Sequence, residues 1–298
     1  MAFPSVAGHG NLPAGVFSPV VYSKKVLLTL KKKAVVDAIT NTEFEGEINS
    51  MGDSVKIIKQ PNVTVVDYTR GKTLTSQDLN DEDVTMTIDQ AKAYQFYMDD
   101  IELAHEHVNF EDMATDSASY ALRDAYDTNV LTAINSGVDS GNAVGSVTVG
   151  FGGGNTYTPL DLISRFGRLL DDDQVPDEDR WVVLSPSYFE SLRREDSKLI
   201  EAQVMGDSKS LVRDARLGTQ IMLHGFKLYK SSNLPTTGTV MLAGHKQAVA
   251  TASSILKSEV IRNQNSFGNI YRGLFVFARK VLRGVALASA TVTSFADA

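Results

Sequence analysis

The spacing of apolar and polar positions along the chain changes several times, and each change predicts a different kind of element. Residues 1–23, rich in Gly, Pro, Ser and Ala, hold no sustained period and read as an extended arm. Between Phe44 and about Tyr94 the period is two. Val55 and Ile57, then Val63 and Val65, then Val84, Met86 and Ile88 alternate with polar neighbours, as on a half-exposed sheet. The polar, turn-forming stretch Asp67-Tyr68-Thr69-Arg70-Gly71-Lys72-Thr73-Leu74 separates the two halves. Twenty residues of strand reach roughly 60 Å at about 3.3 Å per residue, so a hairpin over 44–95 projects beyond a globular body. Projecting edges invite aggregation, and a chain that keeps one is expected to meet a partner with it.

Asn109–Ile134 is the clearest helical stretch. Asn109 is a good N-cap, Glu111 and Asp112 lie in the first turn where the helix dipole favours negative charge, and Gly137 follows the end. Phe110, Met113, Ala114, Ala118, Ala121, Ala125, Tyr126, Leu131 and Ile134 make an apolar face at helical spacing. Such a helix is about 39 Å long, roughly twice the usual, and predicts a strut. The glycine-rich stretch 150–154 then reads as a flexible connection.

A second unit opens at Thr158-Pro159-Leu160-Asp161, with an N-cap, a proline at the first helical position and a first-turn acid. Leu162, Ile163, Phe166, Leu169 and Leu170 form its apolar face. After an acidic loop, Trp181-Val182-Val183-Leu184 reads as a short buried strand, and Ser185-Pro186 opens a helix with Phe189 and Leu192 on its core side. Helix, strand and helix in this order indicate a compact α/β unit. The last hundred residues are mostly strands joined by turns, and no repeat of 20 to 50 residues is evident.

Composition narrows the classes. With 298 residues, 43% hydrophobic and 22% charged, the chain is globular, with one large or two ordinary domains. No apolar run approaches a membrane span, and the first charged residue is Lys24, so neither membrane insertion nor secretion is expected. The absence of cysteine excludes disulfides, thiol catalysis and the commonest structural zinc sites. A net charge of −7 argues against a protein whose main task is gripping nucleic acid; it suits a shell that encloses DNA without adhering to it and most cytosolic enzymes alike, so it excludes more than it identifies.

Several segments together resemble a known family. They are Phe44-x-Gly46 with Gly52-Asp53-x-Val55, then Asp67-Tyr68 and Leu74, then Asp99-Asp100 ahead of the long helix. Trp181 to Pro186 and Gly225-Phe226-x-x-Tyr229-x-Ser231-x-Asn233-Leu234-Pro235 follow, with Gly244-His245-Lys246-x-Ala248, Arg272-Gly273-Leu274 and Lys280-Val281-Leu282. In this order they resemble the major capsid proteins of tailed bacteriophages that share the Hong Kong 97-like fold. Each motif alone is weak; six or so in sequence are much stronger.

The resemblance implies an α+β fold in four regions. These are an N-terminal arm (1–43), an extended β-hairpin loop (44–95), a peripheral domain (96–155 and 266–298) with spine helix 109–134, and an α/β axial domain (156–265). It implies a subunit that assembles with itself, through pentamers and hexamers, into an icosahedral shell around double-stranded DNA. A portal and a separate scaffolding protein are expected partners, the arm being short for a built-in scaffold, and a decoration protein is a further candidate. Packaged DNA is contacted non-specifically. Some relatives cross-link subunits through Lys and Asn; Lys56, Lys59 and Lys72 lie in the hairpin, but no partner is identifiable.

The rival readings leave less. No GxSxG, HExxH or phosphate-loop sequence is present, no catalytic set is predicted, and no cofactor or metal is expected. In His105-Glu106-His107 the histidines are two apart and point to different helix faces. Asp171-Asp172-Asp173 with Asp177-Glu178-Asp179 lacks the ligand spacing of a calcium loop and reads as solvated. Lys24 to Lys33 is either a nucleic-acid or membrane patch or a short surface helix, and nothing aromatic interleaves with its lysines for stacking. A tail-tube subunit is the alternative within phage structural proteins, and the long helix after the hairpin argues against it. Asp67, Arg70 and Lys72 at the hairpin tip are the candidate intersubunit contacts.

Overall fold

The computed structural model describes residues 34–44, 54–58, 63–77, 83–100, 110–151, 156–192 and 222–296. Residues 1–33 of the arm with the basic segment 24–33, Gly46, Gly52, Asp53, Lys59, His105, His107, the Asn109 cap and residues 152–154 of the glycine-rich stretch lie outside the described residues. In chain order the elements are α1 (Val36–Ile39), β1 (Ser54–Ile58), β2 (Asp83–Thr87), β3 (Gln90–Asp99), α2 (Phe110–Ser136), β4 (Ala143–Gly150), α3 (Pro159–Asp172), β5 (Arg180–Leu184) and α4 (Pro186–Ser191). They continue with β6 (Met222–Leu223), β7 (Phe226–Lys230), α5 (Pro235–Gly238), β8 (Val240–His245), β9 (Val249–Arg262), β10 (Gly268–Val281) and β11 (Leu287–Ala296).

The largest sheet has six strands in the order β4-β11-β8-β5-β7-β6. Every residue of β5 is buried, because this strand lies inside the sheet between β7, parallel to it, and β8, antiparallel. A strand covered on both faces reads as a continuous apolar run. The capping box of α3 forms as expected: Asp161 N–H donates to Thr158 Oγ1 (3.2 Å) and Thr158 N–H to Asp161 Oδ2 (3.3 Å). Leu162, Ile163, Phe166, Leu169 and Leu170 are all buried. In α4 Leu192 is buried and Phe189 packs part-buried against the core as expected, and Tyr188 joins them, fully buried with its hydroxyl donating to Pro159 O (2.7 Å). The β6–β7 turn takes positive φ at both His224 (49°) and Gly225 (81°), as a tight two-residue hairpin requires.

The long helix α2 extends two residues past the expected end, to Ser136, and is about 40 Å long. Its apolar face is buried only in the second half. Tyr126, Val130, Leu131 and Ile134 are in the core, whereas Met113, Ala114, Ala118 and Ala125 are part-exposed and Ala121 is exposed. Tyr126 meets Phe275 and Phe277 of β10 edge-on, at 5.8 and 5.1 Å between ring centres. Gly137 closes the helix for reasons of space rather than backbone freedom: a Cβ there would stand 2.5 Å from Val281 Cγ2.

β10 is the centre of a three-stranded sheet, β3-β10-β9. The hairpin β1–β2 packs its base against it, Val55, Ile57, Met86 and Ile88 joining Leu274, Val276 and Ala252 in a second core. One expectation is corrected here: Val63 and Val65 belong to no strand. Among the described residues the hairpin strands pair from Ser54 opposite Thr87 to Ile58 opposite Asp83. Residues 90–95 pair with β10, Tyr94 opposite Gly273 and Phe96 stacked on Tyr271 at 5.0 Å. Hydrogen bonding also crosses the expected domain limits: β9 pairs with β10, while β4 and β11 complete the six-stranded sheet. Alternation along one strand carries no record of which strand lies beside it, so this pairing was not readable.

Candidate assembly surface

The segment 63–77 stands clear of both cores. Thr64 N–H donates to Gln77 Oε1 (2.9 Å), which ties its two limbs together. The tip is a turn closed by Lys72 N–H on Thr69 O (2.9 Å), with Gly71 at the third position and φ +88°, a conformation that costs glycine nothing. Lys72 also donates its ammonium to the carbonyl of Asp67 (2.7 Å). The lysine therefore stabilises the turn. Asp67 and Arg70 are exposed, and neither is ion-paired with another described residue. At the base, Lys56 pairs with Asp83 across the strands (3.1 Å).

Sequence reasoning missed what surrounds these charges. Val63, Val65, Val66, Tyr68 and Leu74 are all exposed, Val65 to 93%. Apolar side chains this exposed on a projecting segment mark a surface that another molecule covers. The available signal was Val63-Thr64-Val65-Val66, an apolar run with no matching alternation between Lys72 and Asp83 to pair with it.

The acidic loop is more than a solvated stretch. Arg180, almost wholly buried, pairs with Asp171 (2.7 Å) and Asp177 (3.0 Å) and donates to the carbonyls of Pro176 (2.9 Å) and Val175. Asp173 accepts from Asn142 Nδ2 (2.6 Å), Asp172 pairs with Arg168 (3.4 Å) and Asp179 with Lys227 (2.6 Å). The Lys227 ammonium holds the Asp179 carboxyl below the usual carboxylate range. These carboxylates are committed to fixing the entry into β5. Among the described residues no group of three or more His, Asp or Glu could hold a metal ion.

A buried carboxylate elsewhere was also missed. Asp127 of α2 is fully buried, and loss of water pushes its carboxyl up against the lowering effect of hydrogen bonds from Val35, Val36 and Asn233. Its sequence signal was its place on the core face, three, four and seven residues before Val130, Leu131 and Ile134.

No protein-family model matches the chain, and no curated protein sequence matches it. Solved structures do. A structure from Mycobacterium phage Che8 is 26% identical, with a TM-score of 0.76 over 92% of this chain and 97% of that one. The capsid structure of Cyanophage P-SCSP1u is 16% identical, with a TM-score of 0.73 over 99% and 100%. The asymmetric unit of the bacteriophage PhiM1 mature capsid is 12% identical, with a TM-score of 0.68 over 93% and 92%. Near-complete coverage on both sides makes the shared fold that of the whole chain, and it is the Hong Kong 97-like fold of phage capsids. The chain thus has the fold of phage capsid proteins. Among the described residues no helix is long and apolar enough to cross a membrane.

Proposed function

We propose that the chain is the major capsid protein of a tailed bacteriophage, closing through pentamers and hexamers into an icosahedral head around double-stranded DNA. The observation that carries this reading is segment 63–77, whose exposed valines, tyrosine and leucine have no use in a lone subunit. Residues 1–43 serve as the arm and 44–95 as the extended loop. Residues 96–155 and 266–298 form the periphery around the spine, and 156–265 surround the capsomer axis, the pairs β9–β10 and β8–β11 joining the last two regions to each other. Five or six copies close into a ring by head-to-tail contacts.

Each extended loop lies across the adjacent subunit. Affinity is spread over several modest contacts, so no copy leaves without breaking many. Asp67, Arg70 and Lys72 set the register of that overlap, since exposed ion pairs contribute only about 0–1 kcal/mol each. The protein catalyses nothing and needs no cofactor. Scaffolding protein and portal act during assembly in the host cytoplasm, a decoration protein is a candidate for the finished virion, and the interior meets packaged DNA without specificity.

Negative-stain electron microscopy of large particles from bacteria expressing the chain, alone and with the neighbouring phage genes, tests the reading. Closed shells or rings of five and six are the expected result. Small dispersed protein in both preparations would end the proposal.

A further inference from the structure

The segment Val35–Asn41 crosses α2 as a strap. Its helix α1 has four residues, too few to hold itself, and Val35 at its N-cap supplies no side-chain acceptor. The acceptor comes from 91 residues away: Asp127 Oδ1 takes the N–H groups of Val35 (2.9 Å) and Val36 (3.0 Å), the pair that the helix start leaves without carbonyls. Oδ2 accepts from Asn233 Nδ2 (3.0 Å), which also donates to Asp124 Oδ1 (2.7 Å). Asn233 lies in the turn after β7. One carboxylate therefore joins the strap, the long helix and the six-stranded sheet.

The other end of the strap is held differently. Asn41 N–H donates to Val249 O (2.9 Å), Thr251 N–H to Asn41 O (3.0 Å), and the hydroxyls of Thr40 and Thr251 meet at 2.8 Å. That end is tied by backbone pairing with β9, whereas the hydrogen bonds that tie the first end all go to one side chain, Asp127, beside the buried Val35, Val36 and Ile39.

We propose that Asp127 is a latch: it fastens the strap to the long helix, and the strap detaches from the folded subunit at this point, before any other part of the main core opens. The inference concerns the subunit alone and goes beyond assembly.

Hydrogen–deuterium exchange of the full-length subunit tests it. Removing the carboxylate leaves two buried N–H groups without an acceptor, so in Asp127→Ala the amides of Val35 and Val36 should exchange about tenfold to a hundredfold faster. Amides of β5 and β8 should change by less than about twofold. Asp127→Asn keeps the Oδ1 acceptor but sets a donor against Asn233 Nδ2; it should give the same local pattern more weakly, and serves if the alanine variant does not fold. Thr251→Val, which loosens only the other end, should leave Val35 and Val36 at the wild-type rate. The proposal is overturned by equal acceleration in the strap, β5 and β8, by unchanged strap amides in the Asp127 variants, or by Thr251→Val acting as strongly as Asp127→Ala.

Discussion

The six-stranded sheet and segment 63–77 use the same residue types in opposite ways. In the sheet, Val182, Val183, Leu184 and Leu242 are fully buried within the chain itself, and Ser185 caps the helix that follows. In the segment, Val63, Val65, Val66 and Leu74 face solvent, on limbs tied by a turn, Lys72 and one glutamine. On the proposed function, stability and assembly are divided between two parts of one chain: what stabilises the subunit is inside it, and what would join subunits makes little contact with the subunit's own cores. This division makes the sheet and the segment separable by mutation.

The largest effect is expected at the sheet. Trp181→Ala empties the largest fully buried side chain in the fold and should lower unfolding free energy by about 3–5 kcal/mol in urea titration. A value under about 1 kcal/mol would break the contrast from that side. Next comes the joint between helix and sheet: Gly137→Ala drives a Cβ into Val281 and should cost about 1–3 kcal/mol by the same measurement.

A smaller effect follows pH. Burial raises the Asp127 carboxyl, so its folded-state pKa exceeds the unfolded value near 3.8, and the folded state takes up the proton first. Wild type should therefore gain stability relative to Asp127→Asn as pH falls through the raised value, the gain being complete below about 3.8. Urea midpoints of the two proteins between pH 7 and pH 4 give the sign, and a gap that moves the other way contradicts it.

The smallest effects on the subunit belong to the exposed segment. Val65→Ser and Arg70→Glu should each change its unfolding free energy by less than about 0.5 kcal/mol. Both should lower the yield of shells on sedimentation. Normal shells from Arg70→Glu would remove the tip charges from the interface, and normal shells from both would remove the segment.

How much of this could be read beforehand differs by element. The α3 capping box, the β5 run and the extent of α2 were legible because each is set by residues within a few positions of one another. Three things were not. The partner of β3 is β10, some 170 residues on, and alternation of Tyr94 and Phe96 says only that one face is covered. The first half of α2 carries Met113, Ala114 and Ala118 at core spacing yet lies part-exposed, because periodicity does not distinguish a face buried by the chain's own core from one left for another copy. Gly137 read as a backbone cap, and its reason is the side chain of Val281, which no local pattern reveals. At the candidate surface, the turn residues Asp67, Arg70 and Lys72 were visible as a charged tip; that Lys72 is committed to the Asp67 carbonyl, and that the apolar neighbours are exposed, required the fold.

The central claim is that segment 63–77 is finished only by a second copy of the chain. Hydrogen–deuterium exchange over residues 63–77, in the dispersed subunit and in assembled shells, measures this directly. The account predicts nearly unprotected amides in the subunit and strong protection in the shell, with β5 slow in both. Equal, fast exchange of 63–77 in both states would contradict it.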